Sequence, residues 1–131
     1  MRVGTEWWSL EVEPGWSVTE DPECFTLTKS GLGAFQISAA RRSEAPVTLD
    51  ELQAAARRDS NMAEPLPAVF GGFRGHSVTY MKNGTFWRRY SLTRGRLWVS
   101  ATYNGSPLVR AAEEPEVEKM LASLRAENGV A

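Results

Sequence analysis

The stretch that decides the fold is FRGHSVTYMKNGTFWRRYSLTRGRLWVSATY, residues 73–103. Two glycine-containing dipeptides, Asn83-Gly84 and Arg94-Gly95, divide it into three runs in which apolar and polar residues alternate. Such dipeptides favour two-residue β-hairpin turns, and the alternation is typical of strands that bury one side. The stretch therefore predicts an antiparallel ribbon of three strands: Phe73–Met81, Thr85–Leu92 and Arg96–Tyr103.

The two turns also predict which side chains share a face of the ribbon. Pairing residues outward from Arg94-Gly95 sets Leu92 opposite Leu97 and produces one face that is mostly apolar. Arg88 is the charged exception on that face. The opposite face is predicted to carry basic and aromatic side chains side by side: Arg74, His76, Tyr80, Trp87, Arg89, Arg96 and Trp98.

Acidic residues are absent around this ribbon. The 48 positions from Pro65 to Ala112 contain no Asp or Glu, although the overall composition would place about six there. Guanidinium groups bind carboxylates bidentately, and Trp and Tyr supply rigid apolar contact area. The basic and aromatic face is therefore a candidate docking surface for another protein with an acidic surface. Stacking of single-stranded nucleic acid is a third interpretation, placed last because the net charge is −1.

A purely structural interpretation of the same face is open. If a helix covers the face, its rings belong to the core and the arginine stems lie along the edge. The carboxylates of Glu113, Glu114 and Glu116 would then neutralise Arg89 or Arg96 within the molecule. Uncovered rings would instead indicate a partner site.

The position of Arg88 supports a second functional alternative. A small anionic ligand, or an enzyme substrate, would bind between the sheet and the helix at Val117–Leu124, held by Arg88 and His76. Otherwise a buried arginine needs an acidic partner. Glu11 or Glu13 would supply that partner if the first strand lies nearby.

Three further strands and a helix are predicted before the ribbon. Alternation of apolar and polar residues indicates strands over Glu6–Val12, Phe25–Lys29 and Gly33–Ala40. Thr48 and Glu51 form a capping box, so a helix starts there and runs to about Asp59. Residues 60–72 are rich in Pro and Gly and are predicted to form a loop.

The second helix follows the ribbon. Val117, Met120, Leu121 and Leu124 recur at helical spacing, and Pro115 is expected in the first turn. The order β-β-β-α-β-β-β-α predicts an α+β fold with a six-stranded, mainly antiparallel sheet. The length of 131 residues suits a single domain.

Four features together resemble the PsbP-like fold family. They are the element order, the Pro14-Gly15-Trp16 turn, the strand GAFQIS at Gly33–Ser38 and the Leu-Ala-Ser-Leu stretch at Leu121–Leu124. The family includes the photosystem extrinsic subunit, a yeast Ran-nucleotide-release factor and DcrB-type bacterial proteins. The resemblance implies a central antiparallel sheet in an α/β/α sandwich, and members that mostly act in binding or assembly. It transfers no functional residue.

The remaining chemistry-bearing residues are few. Cys24 is the lone cysteine, so the sequence excludes an intrachain disulfide and a paired-cysteine zinc site, and a cytosolic setting is expected. No apolar run suits a signal peptide or a membrane span, so no membrane association is predicted. Cys24 and His76 are the one conceivable thiol–imidazole pair, and nothing in their spacing brings them together.

These observations favour a non-enzymatic protein-binding module of a bacterial cytosolic type. Chaperone-like or toxin-neutralising roles suit a small domain without recognisable catalytic groups. No catalytic residue, metal or cofactor is predicted.

Overall fold

A seven-stranded antiparallel sheet forms the centre of the computed structural model, which describes residues 1–60 and 64–129. Its strand order is β3-β4-β5-β9-β8-β7-β6, and a smaller sheet has the order β1-β2-β10. In chain order the elements are β1 Arg2–Gly4, β2 Trp8–Glu11, β3 Ser17–Glu20, β4 Phe25–Thr28, β5 Gly33–Arg41, α1 Leu49–Ser60, β6 Leu66–Phe70, β7 Phe73–Lys82, β8 Thr85–Arg94, β9 Leu97–Gly105, α2 Pro107–Ala122 and β10 Arg125–Ala126.

One face of the large sheet, the inner face, packs against α2 and the small sheet. Alternate residues of each strand point to this face, so apolar side chains at every second position meet in one core. Burial of such large apolar side chains is the main favourable contribution to folding. The largest fully buried side chains of this core include Trp8, Tyr90, Tyr103, Phe35, Phe73, Leu10, Leu27 and Ile37.

The opposite face, the outer face, is covered in part by α1. Leu52, Ala55 and Ala56 of α1 are buried, as is Val78 of β7, and the helix packs on β7 and β8. The predicted capping box is confirmed, because the Glu51 amide donates to Thr48 Oγ1 at 3.2 Å. Helices on both faces of the sheet make an α/β/α sandwich, as predicted.

The strand count differs from the prediction. The first predicted strand, Glu6–Val12, belongs to the small sheet through β2, and the unpredicted β3 and β6 raise the large sheet from six strands to seven. β6 lies inside the predicted loop 60–72, of which residues 61–63 are outside the described residues. Its Pro67 indicated a loop, but an edge strand tolerates proline because one side needs no donor.

Helix α2 begins earlier than predicted. Ser106 caps it by accepting a hydrogen bond from the Leu108 amide at 3.2 Å, and Pro107 occupies the first turn. Pro115 therefore lies inside the helix, and its expected place in the first turn is wrong. The early start brings Arg110 and Glu114 onto the helix.

The register of the ribbon agrees with the prediction at one turn and differs at the other. Around Asn83-Gly84, Tyr80 pairs with Trp87 as expected. Around the second turn Arg94 pairs with Leu97, so the loop is Gly95-Arg96 rather than Arg94-Gly95. Because β9 is displaced by two residues, the side chains that remain on the strands keep their predicted face and only their cross-strand neighbours change, whereas Arg96 moves into the turn.

Candidate functional site

Helix α1 divides the predicted basic and aromatic face into two parts. At the covered end, Thr93 and Ser91 of β8 are 5% and 9% exposed. Exposed Arg74 lines an open depression there, together with Thr93 and the start of α1. Arg89 lies one row beyond Ser91, and Tyr80 and Trp87 lie two rows beyond it. The structure therefore does not bring the seven predicted residues into one continuous surface.

Arg96 is not on the sheet face at all. It occupies the second position of the β8–β9 turn. Its Nη1 donates to the backbone carbonyls of Arg42 and Ser43 at 3.3 and 2.9 Å. Arg96 thus fastens the loop that leads into α1, and its predicted place among the docking residues is corrected.

His76 on β7 and Trp98 on β9 are both half-buried. His76 lies in the cross-strand row of Ser91 and Ser100, and Trp98 lies beside Thr93. The Nδ1 atom of His76 and the Nε1 atom of Trp98 are buried without a hydrogen-bond partner among the described residues. Each ring therefore has a buried nitrogen, but both residues are half-buried overall, as Tyr80, Trp87 and Arg89 are.

The remaining three residues, Tyr80, Trp87 and Arg89, form what we call the aromatic–arginine cluster. The rings of Tyr80 and Trp87 are parallel, with 1° between their planes and 6.1 Å between their centroids. Arg89 donates from Nε to the Tyr80 hydroxyl at 2.8 Å, and its Cζ lies 5.7 Å from the Trp87 centroid. All three side chains are half-exposed. The Tyr80 hydroxyl and the Trp87 ring therefore hold the guanidinium group in place.

A polar, uncharged surface continues from this cluster across β9, β5, β4 and β3. Its side chains occupy the outer positions of these strands, as the register shows. We call it the hydroxyl-rich half of the outer face. It consists of Ser17, Thr19, Thr26, Thr28, Gln36, Ser38, Ser100, Thr102 and Asn104. None of these residues carries a charge, so the cluster supplies the charge at the border of this surface.

The acidic residues of α2 do not neutralise the outer face. Glu113 accepts hydrogen bonds from Ser30 and Tyr103, and Glu116 accepts them from Lys29 and Trp16. The hydrogen bond from the Lys29 ammonium group lowers the pKa of Glu116 below its usual value. Since α2 lies against the inner face, the predicted pairing of these carboxylates with Arg89 or Arg96 is wrong.

Arg88 is on the inner face, as predicted, but its partners are different from those expected. Its Nη1 lies 3.5 Å from Glu114 and 3.3 Å from Glu118, both on α2. Its Nη2 donates to Ser77 Oγ at 3.3 Å. Glu11 instead binds the N-terminal amine, and the hydrogen bond from that amine lowers the pKa of Glu11. Glu118 is not predicted as a partner of Arg88, because the sequence does not indicate how the second helix is oriented relative to β8.

Arg88 and His76 lie on opposite faces of the sheet. The register puts Arg88 opposite Thr79 and Tyr103, on the inner side, and His76 opposite Ser91, on the outer side. The space between the sheet and the second helix is filled by Val117, a fully buried core residue, and its neighbours. The two residues therefore cannot line one ligand pocket, and that prediction is corrected.

Cys24 and His76 are also far apart in the sheet. Cys24 precedes β4 and borders a small cavity of about 150 Å³, whereas His76 is on β7, with β5, β9 and β8 between them. The structure therefore does not form a thiol–imidazole pair. Within residues 1–60 and 64–129, no helix has both the length and the apolar composition needed to cross a membrane.

The whole chain has structural neighbours among solved structures but no match among sequence families. No family model matches it, and no curated protein matches it in sequence. Solved structures do match. The cyanobacterial PsbP (CyanoP) of Synechocystis sp. PCC 6803 superposes with a TM-score of 0.61 at 8% identity, over 96% of this chain and 91% of that one. The fold is PsbP-like.

Two other structures share the PsbP-like fold. LpqN of Mycobacterium tuberculosis, described as involved in cell envelope biogenesis, gives a TM-score of 0.69 at 10% identity, covering 98% of this chain and 90% of LpqN. A protein of Bacteroides thetaiotaomicron gives 0.67 at 16% identity over 94% of this chain. The chain spans about half of that longer protein, 46% of its length. At such identities the likeness shows the fold alone, so functional residues must come from the site itself.

Proposed function

We propose that this protein is a non-enzymatic binding module whose outer face docks the acidic surface of another protein. The observation that carries the proposal is the aromatic–arginine cluster. Tyr80 and Trp87 hold the Arg89 guanidinium at a half-exposed position. Among the residues whose side chains the structure describes, 1–58 and 64–129, no carboxylate lies within 4.0 Å of it, because Arg89 forms none of the ion pairs found there.

The charge of the surrounding surface supports an acidic partner. The outer positions of β7 and β8 include the cations Arg74, Lys82 and Arg89, and no Asp or Glu. A carboxylate of the partner would therefore meet no like charge on these strands. Such complementarity steers encounter and excludes partners of the wrong charge.

The arrangement also has the composition of an interface centre and its rim. Binding energy concentrates in Trp, Tyr and Arg side chains that are held rigidly, because little side-chain entropy is lost on binding. Here the Tyr80 hydroxyl and the Trp87 ring already order Arg89. The hydroxyl-rich half beside the cluster supplies the uncharged hydrogen-bonding surface expected at a polar rim.

Chaperone-like and toxin-neutralising roles are two forms that this function would take. The likeness to CyanoP and LpqN supports the fold on which the surface is built. A cytosolic setting, predicted from the lone cysteine, is part of the same proposal.

The experiment compares four full-length proteins: the natural chain, Arg89→Glu, Trp87→Ala and the control Arg125→Glu. Arg125 is an exposed arginine of the small sheet, away from the outer face. Nuclease-treated lysate is passed over each immobilised protein, the retained protein is identified and purified, and its dissociation constant is measured by titration. We expect Arg89→Glu to weaken binding at least tenfold, with the control unchanged.

Three results would count against the proposal. The first is equal binding of the retained protein to all four chains. The second is retention only from a parallel lysate that has not been treated with nuclease, which would show that binding requires nucleic acid. The third is an unfolding midpoint of Arg89→Glu so low that the variant is unfolded under the conditions of the titration, since weaker binding would then reflect lost folding. Exposure of Trp87 is checked separately by acrylamide quenching of fluorescence in the natural chain and in Trp87→Phe. If the Trp87 indole is accessible, the variant lacks part of the emission that acrylamide quenches in the natural chain.

A further inference from the structure

The end strand β6 is an unprotected edge of the large sheet. Its far side pairs with no strand of the described residues. Leu66 and Val69 on it are 58% and 72% exposed, and the sequence from Pro65 to Phe73 contains no charged residue. Natural edge strands usually carry charges, bulges or prolines that prevent pairing with another chain. In β6 the one such residue is Pro67.

The hairpin that joins β6 to β7 fixes the direction of the edge hydrogen-bonding groups. Phe70 and Phe73 close a two-residue turn, so they form a hydrogen-bonded pair, and such pairs alternate along an antiparallel ladder. Pro67 and Val69 therefore point their backbone groups away from β7. This fits Pro67, which has no N–H to donate. The free edge thus offers the Val69 N–H and C=O and the Pro67 C=O, and none of these has a backbone partner among the described residues outside the sheet.

Two arginines stand beside this edge. Arg74 is the cross-strand neighbour of Val69 on the outer face, and it is exposed. The guanidinium of Arg94 lies near the hairpin turn, since a Cβ at Gly72 would be 3.6 Å from its Nη1. Neither arginine forms an ion pair with any residue whose side chain is described, that is, within 1–58 and 64–129. An acidic side chain opposite Val69 would therefore be attracted rather than repelled.

We propose that β6 binds an extended peptide of another protein, in which acidic and apolar residues alternate, as an eighth strand of the sheet. The peptide residue opposite Val69 exchanges two backbone hydrogen bonds with it and places its acidic side chain on the outer face, within reach of Arg74. The neighbouring peptide residues lie on the inner face, where Leu66 and Phe70 present apolar surface. This is strand addition, with backbone bonds supplying affinity and alternate side chains supplying specificity.

Pro67 limits the pairing to the end of β6 near the turn. At this position β6 has no N–H to donate to a partner strand, so pairing along the whole edge is disfavoured. A short peptide is therefore sufficient. The inference goes beyond the proposed function, because it uses none of Tyr80, Trp87 or Arg89. Its failure and the failure of the proposed docking surface can therefore be distinguished.

The probe is the acetylated, amidated peptide Val-Glu-Val-Glu-Val-Glu, titrated into the ¹⁵N-labelled full chain. The matched control peptide carries Lys in place of Glu. We expect the Glu peptide to slow hydrogen exchange of the Val69 amide at least tenfold. Arg74→Glu should weaken its binding about tenfold, because one attractive charge becomes repulsive. Arg125→Glu and Arg89→Glu should leave it unchanged.

Three further samples separate backbone pairing from other contacts. Val69→Pro removes the outward N–H and should abolish binding, whereas Val69→Thr retains it and should not. A Glu peptide N-methylated at its central residues tests the same bonds if Val69→Pro fails to fold. Unchanged Val69 exchange at saturating Glu peptide would overturn the proposal. So would equal binding of the Lys peptide, or a concentration-dependent dimer that protects Val69 without peptide, which would assign the edge to a second copy of this chain.

Discussion

The Tyr103 hydroxyl donates a hydrogen bond of 2.9 Å to Oε1 of Glu113, a carboxylate that is only 2% exposed. Glu113 Oε2 accepts from Ser30 Oγ at 2.7 Å and from the Ser30 amide at 3.3 Å. Burial and the neighbouring carboxylate both raise the pKa of Tyr103, so its hydroxyl remains a donor. This network joins α2 to β9 and to the turn before β5, and it fixes how the helix lies on the inner face.

Removing the carboxylate should therefore destabilise the protein more than removing the hydroxyl. Glu113→Ala leaves the buried Tyr103 hydroxyl and the Ser30 hydroxyl without their acceptor, for an expected loss of about 3 kcal/mol. Tyr103→Phe removes one bond to a charged acceptor and should lose about 2 kcal/mol. Urea unfolding of both variants and of the double variant provides the measurement. Additive losses would show that the two groups do not act together.

Gly33 should resist replacement because it lies against the same network. A Cβ at this position would overlap Oε1 of Glu113 and stand 2.9 Å from the Tyr103 hydroxyl. We expect Gly33→Ala to lose about 2 kcal/mol of unfolding free energy, as overpacked cores do. In a Glu113→Ala background the nearest obstacle is gone, so the same substitution should lose less. An equal loss in both backgrounds would place the strain elsewhere.

Turn chemistry explains why the register was predicted at one hairpin and missed at the other. Asn83 and Gly84 have φ values of 53° and 78°, and both positions of this turn are of the kind that Asn-Gly favours. The second turn has positive φ at Gly95, 61°, and not at Arg96. Gly95 is the first loop residue of a turn that needs positive φ only at that position. The predicted loop would instead have placed Arg94 first and forced it into positive φ, which non-glycine residues disfavour.

The predicted assignment of the strands' side chains to the two faces is nevertheless correct, because the register differs by an even number of residues. Side chains alternate with a period of two, so Trp98 remained on the outer face and Val99 on the inner. The position of α1 was beyond sequence reasoning. No pattern within Leu49–Ser60 indicates which rows of the sheet the helix crosses, and the rows beneath it hold the buried Val78, Ser91 and Thr93.

Acid should weaken the contact between α2 and the turn after β4. Because hydrogen bonding from Lys29 lowers the pKa of Glu116 in the folded state, this carboxylate stabilises the protein above its usual pKa. The stabilisation is lost as the pH falls through the folded value. Lys29→Met should make unfolding less pH-dependent below about pH 4.5. The effect should stay under about 1 kcal/mol because the pair is partly exposed.

Thermal unfolding between about pH 3 and pH 7 measures this dependence. Lys82→Met is the matched control, since Lys82 pairs with no carboxylate of the described residues. A steeper acid limb in Lys29→Met than in the natural chain would contradict the assignment of the shift to Lys29.

The charge of Arg88 is paired within the molecule with two carboxylates of α2. Its side chain is 21% exposed and lies between Glu114 and Glu118, which are 17% and 37% exposed. Arg88→Met would leave two carboxylates facing each other, with Arg110 at 3.6 Å from Glu114 as the remaining cation. We expect a loss of about 2 kcal/mol, less than for a fully buried pair because water still reaches these groups.

A second substitution separates this charge effect from lost packing. Adding Glu118→Gln to Arg88→Met removes one of the two opposed carboxylates, so part of the lost stability should return. Arg110→Met, at a more exposed position, should lose under about 1 kcal/mol. The same carboxylates should repel anions, so inorganic phosphate should raise the unfolding midpoint of the natural chain no more than that of Arg88→Met. A midpoint increase confined to the natural chain would show that Arg88 is free to hold an anionic ligand after all.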